Sequence, residues 1–471
     1  MYESLLAFLK KETTLPIFFF LVYLLKRDLF DKLKANDDKV FPKEKLDNNA
    51  DGVKNEICTF KDRWESSNCT TFNDIEKEQP EYDWSITKPY PYKPFKPGEY
   101  NLNMNVKTIP KNEWIVLEST YKTNILKKWD IIKDNYLHVI FFPDPETAKR
   151  QETVNLTNND FAKAKDTVCR LYDHVVGFLI NKFPHYFEVV LKDNGETPGV
   201  LYNKILGEYH PLNPWKFTSV DDYQNWSFLN YFCCEKDNYI VPYFVTTESV
   251  KYHLLILSVA RLIEEDYILL FPNENRQYNN EYIFQAGVFA FAAGFDPMER
   301  FLKPISLVHG PVPEYKARLQ KSMNKFFHVF QPGKVVMRVN FSFQTHPHFF
   351  VVSSNKGKPS EIIRPKTIEQ LNSDGSDLFY RSERQCLIKL DANDSMYDGP
   401  ICFTIKTYLF SIIKDLFQMD FYKEPQILND LKSAVLDMQE NVGQYKRKPE
   451  WGPALVSLID EELTKKKQCL S

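Results

Sequence analysis

The sequence predicts an α+β fold, and three observations carry that expectation. Strand-like and helix-like patterns follow one another without a strict βαβ rhythm. Val335–Gln344 alternates with a period of two, with Met337, Val339, Phe341 and Phe343 on one side and Arg338, Asn340, Ser342 and Gln344 on the other. Asp160 to Lys182 instead repeats its apolar residues at helical spacing through Phe161, Val168, Leu171, Val175, Phe178 and Leu179, and Pro184 follows.

Taken in order, the chain opens on an uncharged run from Thr13 to Leu25 that is closed by Lys26 and Arg27. Thirteen helical residues reach roughly 20 Å, short of a hydrocarbon core of about 30 Å. No small-residue cleavage site follows the run, so residues 1–27 are expected to be a hydrophobic anchor, spanning or lying on a membrane. The bland alternative is a buried terminal helix. The basic flank of Lys26, Arg27, Lys32 and Lys34 favours a body facing the cytosol. Residues 28–85 are charged and rich in Asn and Asp, and read as a linker or stem. A Pro/aromatic stretch from Lys88 to Gly98 opens a folded body at 86–445, and 446–471 reads as a basic tail.

Within the body a second helix is expected over Thr247–Glu265. Strands are expected at Tyr267–Phe271, Ile283–Phe291, Val335–Gln344, Glu383–Leu390 and Ile401–Lys406. Helices are expected at Tyr315–Phe330 and over residues 424–442.

The chain has 471 residues, 43% of them hydrophobic and 15% aromatic, which is enough for a large core and excludes a disordered chain. Its formal charge is −3 with acids and bases mixed, so no polybasic face marks a nucleic-acid partner. The eight cysteines show neither CxxC nor zinc spacing, as in a reducing compartment. There is no P-loop, GxGxxG, GxSxG elbow, covalent-haem CxxCH or Asp-x-Asp triplet.

Candidate chemistry gathers in the C-terminal half. His309 stands between an apolar run and a Pro-Val-Pro turn, a rigid setting that suits a metal or haem iron; taken alone, a single histidine is more often a hydrogen-bonded structural residue. Arg338 and Asn340 share one side of an alternating strand, a pattern that an outer-sheet strand also gives. Alternation in Glu383–Leu390 separates Glu383, Gln385 and Lys389 from Arg384, Cys386, Ile388 and Leu390. A guanidinium on the apolar side is expected to meet an anion, either a carboxylate or a ligand's acid group. His346 and His348 flank a proline past a strand end, as a metal pair or a solvated loop. Glu264-Glu265-Asp266 ends a helix against its dipole.

Five blocks in order resemble the haem-dependent oxidative N-demethylase-like family, in its fungal branch, the HRQ family. They are Pro91 to Gly98, Glu265-Asp266, His309-Gly310-Pro311-Val312-Pro313, Arg338-Val339-Asn340-Phe341, and Glu383-Arg384-Gln385 with Phe403 to Tyr408. The chain departs from the family pattern at Phe341 for Trp, Lys406 for Arg and Gly310 for Ala, and a lysine holds a carboxylate as a point charge without a bidentate fork.

The resemblance implies a PAS-like antiparallel sheet with surrounding helices, holding non-covalent haem b. It also implies a monooxygenase-type oxidation of a small methylated amine that releases formaldehyde. His309 would be the axial ligand or a distal hydrogen-bonding residue, and Arg338 and Arg384 would hold haem propionates. Asn340, Glu383 and Tyr408 would line the substrate side, with Glu383 pairing with a cationic amine or relaying protons. Electrons would come from a separate flavin or iron–sulfur reductase. A membrane-anchored glycosyltransferase of the secretory pathway and a non-catalytic haem sensor are the alternatives.

Overall fold

A computed structural model describes residues 75–98, 103–143, 158–190, 200–212, 247–272, 281–390 and 399–470. The expected anchor, residues 1–27, lies outside the described residues. So does most of the expected stem. Among the described residues no helix is long and apolar enough to cross a membrane.

The strands, in chain order, are β1 (Lys107–Ile109), β2 (Ile140–Phe141), β3 (Phe187–Val190), β4 (Val200–Asn203), β5 (Glu208–Pro211), β6 (Asp266–Phe271), β7 (Ile283–Val288), β8 (Val335–Gln344), β9 (Phe379–Lys389) and β10 (Ile401–Ser411). The helices are α1 (Tyr121–Val139), α2 (Asn158–Lys182), α3 (Thr247–Leu262), α4 (Ile305–Val308), α5 (Gln320–Val329), α6 (Asp420–Lys423), α7 (Pro425–Leu436), α8 (Glu440–Tyr445) and α9 (Lys448–Leu470). Seven strands form one sheet in the order β1-β8-β9-β10-β6-β7-β2, and each of its pairings is antiparallel. A second sheet, β3-β4-β5, is a short meander. Helices and antiparallel sheets in one body make this an α+β fold.

Strand parity divides the large sheet into two faces. Met337, Tyr267, Leu269, Cys386 and Cys402 join a core shared with α1, α2 and α3. Val336, Leu387, Ile405, Ile268 and Leu270 turn the other way, toward Met323 and Phe327 of α5. A further core, under α7 and α9, buries Phe341, Phe343 and Tyr380.

Several expected elements differ in extent. The helix expected to run through 424–442 breaks after Leu436, where Met438 turns into the core. Residues 446–471, expected as a basic tail, carry α9; Trp451, Ala454, Leu455, Leu458 and Ile459 bury one face of it. The Tyr315–Phe330 helix begins as a wide π-turn over Tyr315–Leu319 before α5. The end of the expected stem packs on the body: Tyr82 and Trp84 lie against the core, and the Glu78 N–H donates to the Lys182 carbonyl at 2.9 Å.

Candidate functional site

β1 pairs only with Val335–Met337, so the outer edge of β8 beyond Met337 is left to other elements. On the α5 side of the sheet lies a cavity of about 1750 Å³. Small-molecule pockets usually hold roughly 300–1,000 Å³, so there is room for a large flat ligand and a small one together. Its apolar wall joins Ile268, Leu270, Phe284, Leu387, Phe403 and Ile405 of the sheet to Met323, Phe326 and Phe327 of α5. Its polar end holds Arg338, Asn340, Arg381, Glu383, Lys356 and Lys446.

His309 lines the cavity as the residue that ends α4. The helix is short because the Gly-Pro-Val-Pro sequence after it offers one helix-breaking residue after another. The His309 carbonyl accepts from the Val312 N–H at 2.8 Å, which closes the turn. The imidazole is fixed twice: Nδ1 lies 2.9 Å from the Ile305 carbonyl, and the ring stacks on Tyr315 at 4.9 Å and 9°. A carbonyl can only accept, so Nδ1 carries the proton and Nε2 keeps its lone pair. Burial holds the imidazole below its ordinary value, and the charges of Arg338 and Arg300 push the same way. Glu281 braces this region by accepting from the Ser306 N–H, Gln320 and Asn324 at 2.8–2.9 Å.

The polar end is built from facing residues of β8 and β9. Register sets Arg338 opposite Gln385, Asn340 opposite Glu383 and Ser342 opposite Arg381. Glu383 accepts from Arg381 Nε at 3.1 Å, Asn340 Nδ2 at 3.2 Å and Gln385 Nε2 at 3.0 Å. Burial alone would raise this carboxyl, but Arg381, Lys356 and Asn340 outweigh it and hold the group below its ordinary value. Arg381 is itself anchored to the carbonyls of Phe349, at 3.3 Å, and Phe291.

Residues 352–361 close one side of the cavity by pressing against α8. The Gly357 N–H donates to the Tyr445 carbonyl at 3.0 Å, and Gln444 Nε2 reaches the carbonyls of Lys358 and Glu361, both at 2.8 Å. Gly357 has to be glycine, because a Cβ there would stand 2.1 Å from the Gln444 carbonyl oxygen.

Of the residues singled out from sequence, the cavity brings together His309, Arg338, Asn340 and Glu383. It does not include Arg384 and Tyr408, which strand alternation sends to the opposite face. There Arg384 meets neutral acceptors in place of the expected anion: it donates to Tyr92 Oη at 2.8 Å, the Trp114 carbonyl at 2.9 Å and the Glu113 carbonyl. Tyr408 Oη donates to Glu118 at 2.8 Å. Lys406 also sits behind the sheet, between Glu118 and Glu264 at 2.8 Å each. Its departure from the family pattern therefore bears on the core. Glu264 ends its helix without penalty because Lys406 and Asn124 neutralise and bind it.

His346 and His348 stack at 5.5 Å, with His346 Nε2 2.7 Å from Asn355 Oδ1. Among the described residues no three His, Cys, Asp or Glu side chains group as a metal site. Cys169, Cys386 and Cys402 are buried and free.

Sequence reasoning gave no site role to Arg381, Lys356 or Lys446. Arg381 had a signal: it stands two residues before Glu383 and so shares its side of the strand.

The family whose model matches residues 105–456 is described as haem-dependent oxidative N-demethylase, alpha subunit-like. The chain belongs to that family. In this N-demethylase-like chain the match contains the blocks from Glu265 to Tyr408, while the Pro91–Gly98 stretch precedes it. No curated protein matches the chain. The residues present fit the haem that the family name implies. An imidazole with Nδ1 committed to a carbonyl offers Nε2 to iron, and a lone iron ligand needs no three-residue cluster. An apolar slot suits a porphyrin face, and Arg338 and Lys356 at one end suit its carboxylates.

Proposed function

We propose that this protein carries out haem-dependent oxidative N-demethylation of a small methylated amine. The net reaction converts the N-methyl amine, dioxygen, two electrons and two protons into the amine without that methyl group, formaldehyde and water. Bound haem b would supply the oxygen activation, which no side chain can. The observation that carries the reading is His309, its tautomer set by Ile305, on the wall of a large cavity with one apolar and one charged end.

In this reading His309 ligates iron through Nε2, and its bond to the Ile305 carbonyl keeps the ring from turning. Arg338 holds a haem carboxylate. Glu383, kept ionised by Arg381, receives the ammonium of the substrate. Asn340 fixes the orientation of that carboxylate through its 3.2 Å bond. The apolar wall excludes water from the methyl group and strengthens each of these contacts. We read the sheet as PAS-like, the electron source as a separate flavin or iron–sulfur reductase, and the protein as membrane-associated with its body facing the cytosol.

An absorption spectrum tests the reading. Protein reconstituted with haem should show a Soret band that shifts on adding a methylated amine, and His309→Ala should abolish or displace it. Formaldehyde should then appear with amine-dependent oxygen uptake. A protein that stays colourless refutes the haem reading; a Soret band without amine-dependent uptake assigns a sensor instead.

A further inference from the structure

Lys446 reaches the polar end of the cavity from the C-terminal layer, one residue beyond α8. Its Nζ donates to the Phe341 carbonyl at the open edge of β8 and lies 3.4 Å from Asn340 Oδ1. The other end of the same amide, Asn340 Nδ2, donates to Glu383 at 3.2 Å. One amide thus bridges a lysine and a carboxylate that both border the cavity.

Among the charged groups that act on Lys446 are Lys356, Glu383 and Arg338. Its chain neighbour Arg447 is committed to Glu450 at 2.6 Å and Glu361 at 2.5 Å. Burial pushes the Lys446 ammonium down to about 7; Lys356 and Arg338 add to that push, and Glu383 opposes it.

Resting on the reading of this cavity as an amine-oxidising site, we propose that a cationic methylamine and the Lys446 ammonium exclude each other at the Glu383 end. The amine therefore binds with release of the Lys446 proton to solvent. Glu383 is already shared with Arg381, and one carboxylate in a low-dielectric pocket does not neutralise two further cations. Lys446 is the cation closest to neutrality and yields first. A dialkylammonium in water holds its proton well above pH 8 and stays charged. Linkage then fixes the pH dependence: below about pH 7 each unit of acid weakens amine binding about tenfold, and above about pH 8 the affinity is flat.

Calorimetry on the haem-loaded full chain tests this, with dimethylammonium chloride titrated at about pH 6 and about pH 8.5 in buffers of different ionisation heat. The expected result is release of nearly one proton at the lower pH, almost none at the higher, and affinity about tenfold tighter at the higher. Lys446→Met should release no proton and bind at the lower pH as tightly as the native protein does at the higher. Lys446→Arg keeps the charge and should bind weakly at both. Native binding without proton release, or release retained in Lys446→Met, overturns the proposal. So does loss of the Soret band in Lys446→Met, which would make Lys446 an anchor for a haem carboxylate. No amine binding at either pH overturns the N-demethylation reading itself, and this inference with it.

Discussion

The two faces of the large sheet carry similar side chains and use them in opposite ways. Behind it, Arg384, Lys406 and Tyr408 end on carbonyls, a phenol and carboxylates of the segment from Tyr92 to Glu118 and of Glu264. These contacts are closed. In front, Arg338, Asn340 and Glu383 border a cavity. The same β9 strand supplies Glu383 to one face and Arg384 to the other, so a single step along the chain separates a candidate binding group from a structural one. The comparison teaches that chemical type does not assign a role here; strand parity does.

The sharpest way to break the comparison is to remove one cation from each face. Lys406→Met leaves the carboxylates of Glu118 and Glu264 buried with their shared cation gone. Removing one partner of a buried ion pair costs about 3–5 kcal/mol. Urea denaturation should show that loss, with the haem spectrum of the folded protein unchanged. Arg338→Met removes a charge that faces the cavity, so its stability should change by less than about 1 kcal/mol while haem affinity falls about tenfold. Equal stability losses in the two variants would erase the distinction between the faces.

That contrast also explains what the sequence made legible. Val335–Gln344 was readable end to end, because beyond Met337 β8 sends Phe341 and Phe343 into a core and leaves Arg338, Asn340 and Ser342 on the other side. His309, Arg338, Asn340 and Glu383 were readable because each sits in a local motif with a rigid turn or a clean alternation. Arg384 and Tyr408 were assigned to the cavity by motif membership, although alternation separates both from Glu383. Lys356 and Lys446 were not readable at all. They reach the cavity through the packing of residues 352–361 on α8, and no local pattern encodes contacts between such distant segments. The helix in the C-terminal tail was missed differently: Trp451, Leu455, Leu458 and Ile459 are spaced as one helical face, but the lysines after them dominated the reading.

A smaller effect concerns the carboxyl that opens β6, on the side that Ile268 and Leu270 share. Asp266 is fully buried, and its carboxyl is pushed up to about 6, chiefly by burial and against the pull of Lys128 and two backbone N–H groups. A folded-state value above the ordinary 3.8 favours the folded protein below that pH. This contribution is lost as pH rises to about 6. Asp266→Asn keeps an oxygen for the Phe291 N–H, now accepted at 2.6 Å, and has nothing to ionise. The variant should be up to about 3 kcal/mol more stable than the native protein at neutral pH, and the gain should vanish in acid. A gain of the same size at every pH would place the effect in packing.

The smallest expected change lies at Glu265, and it decides how the back face is neutralised. Among the described residues no side chain hydrogen-bonds this buried carboxyl, although Lys406, Glu264, its own backbone N–H and Arg384 are close enough to act on it. Burial raises its pKa, and Glu264 adds to the rise while Lys406 and Arg384 oppose it. If it keeps its proton at neutral pH, Glu265→Gln replaces one neutral group by another of the same shape, and the unfolding free energy from urea denaturation should change by less than about 1 kcal/mol. If instead Glu265 is ionised as a counter-charge to Lys406, the same substitution should cost about 3–5 kcal/mol, as Lys406→Met does. The small result would mean that Glu118 and Glu264 alone balance Lys406, and that Arg384 is held by neutral acceptors.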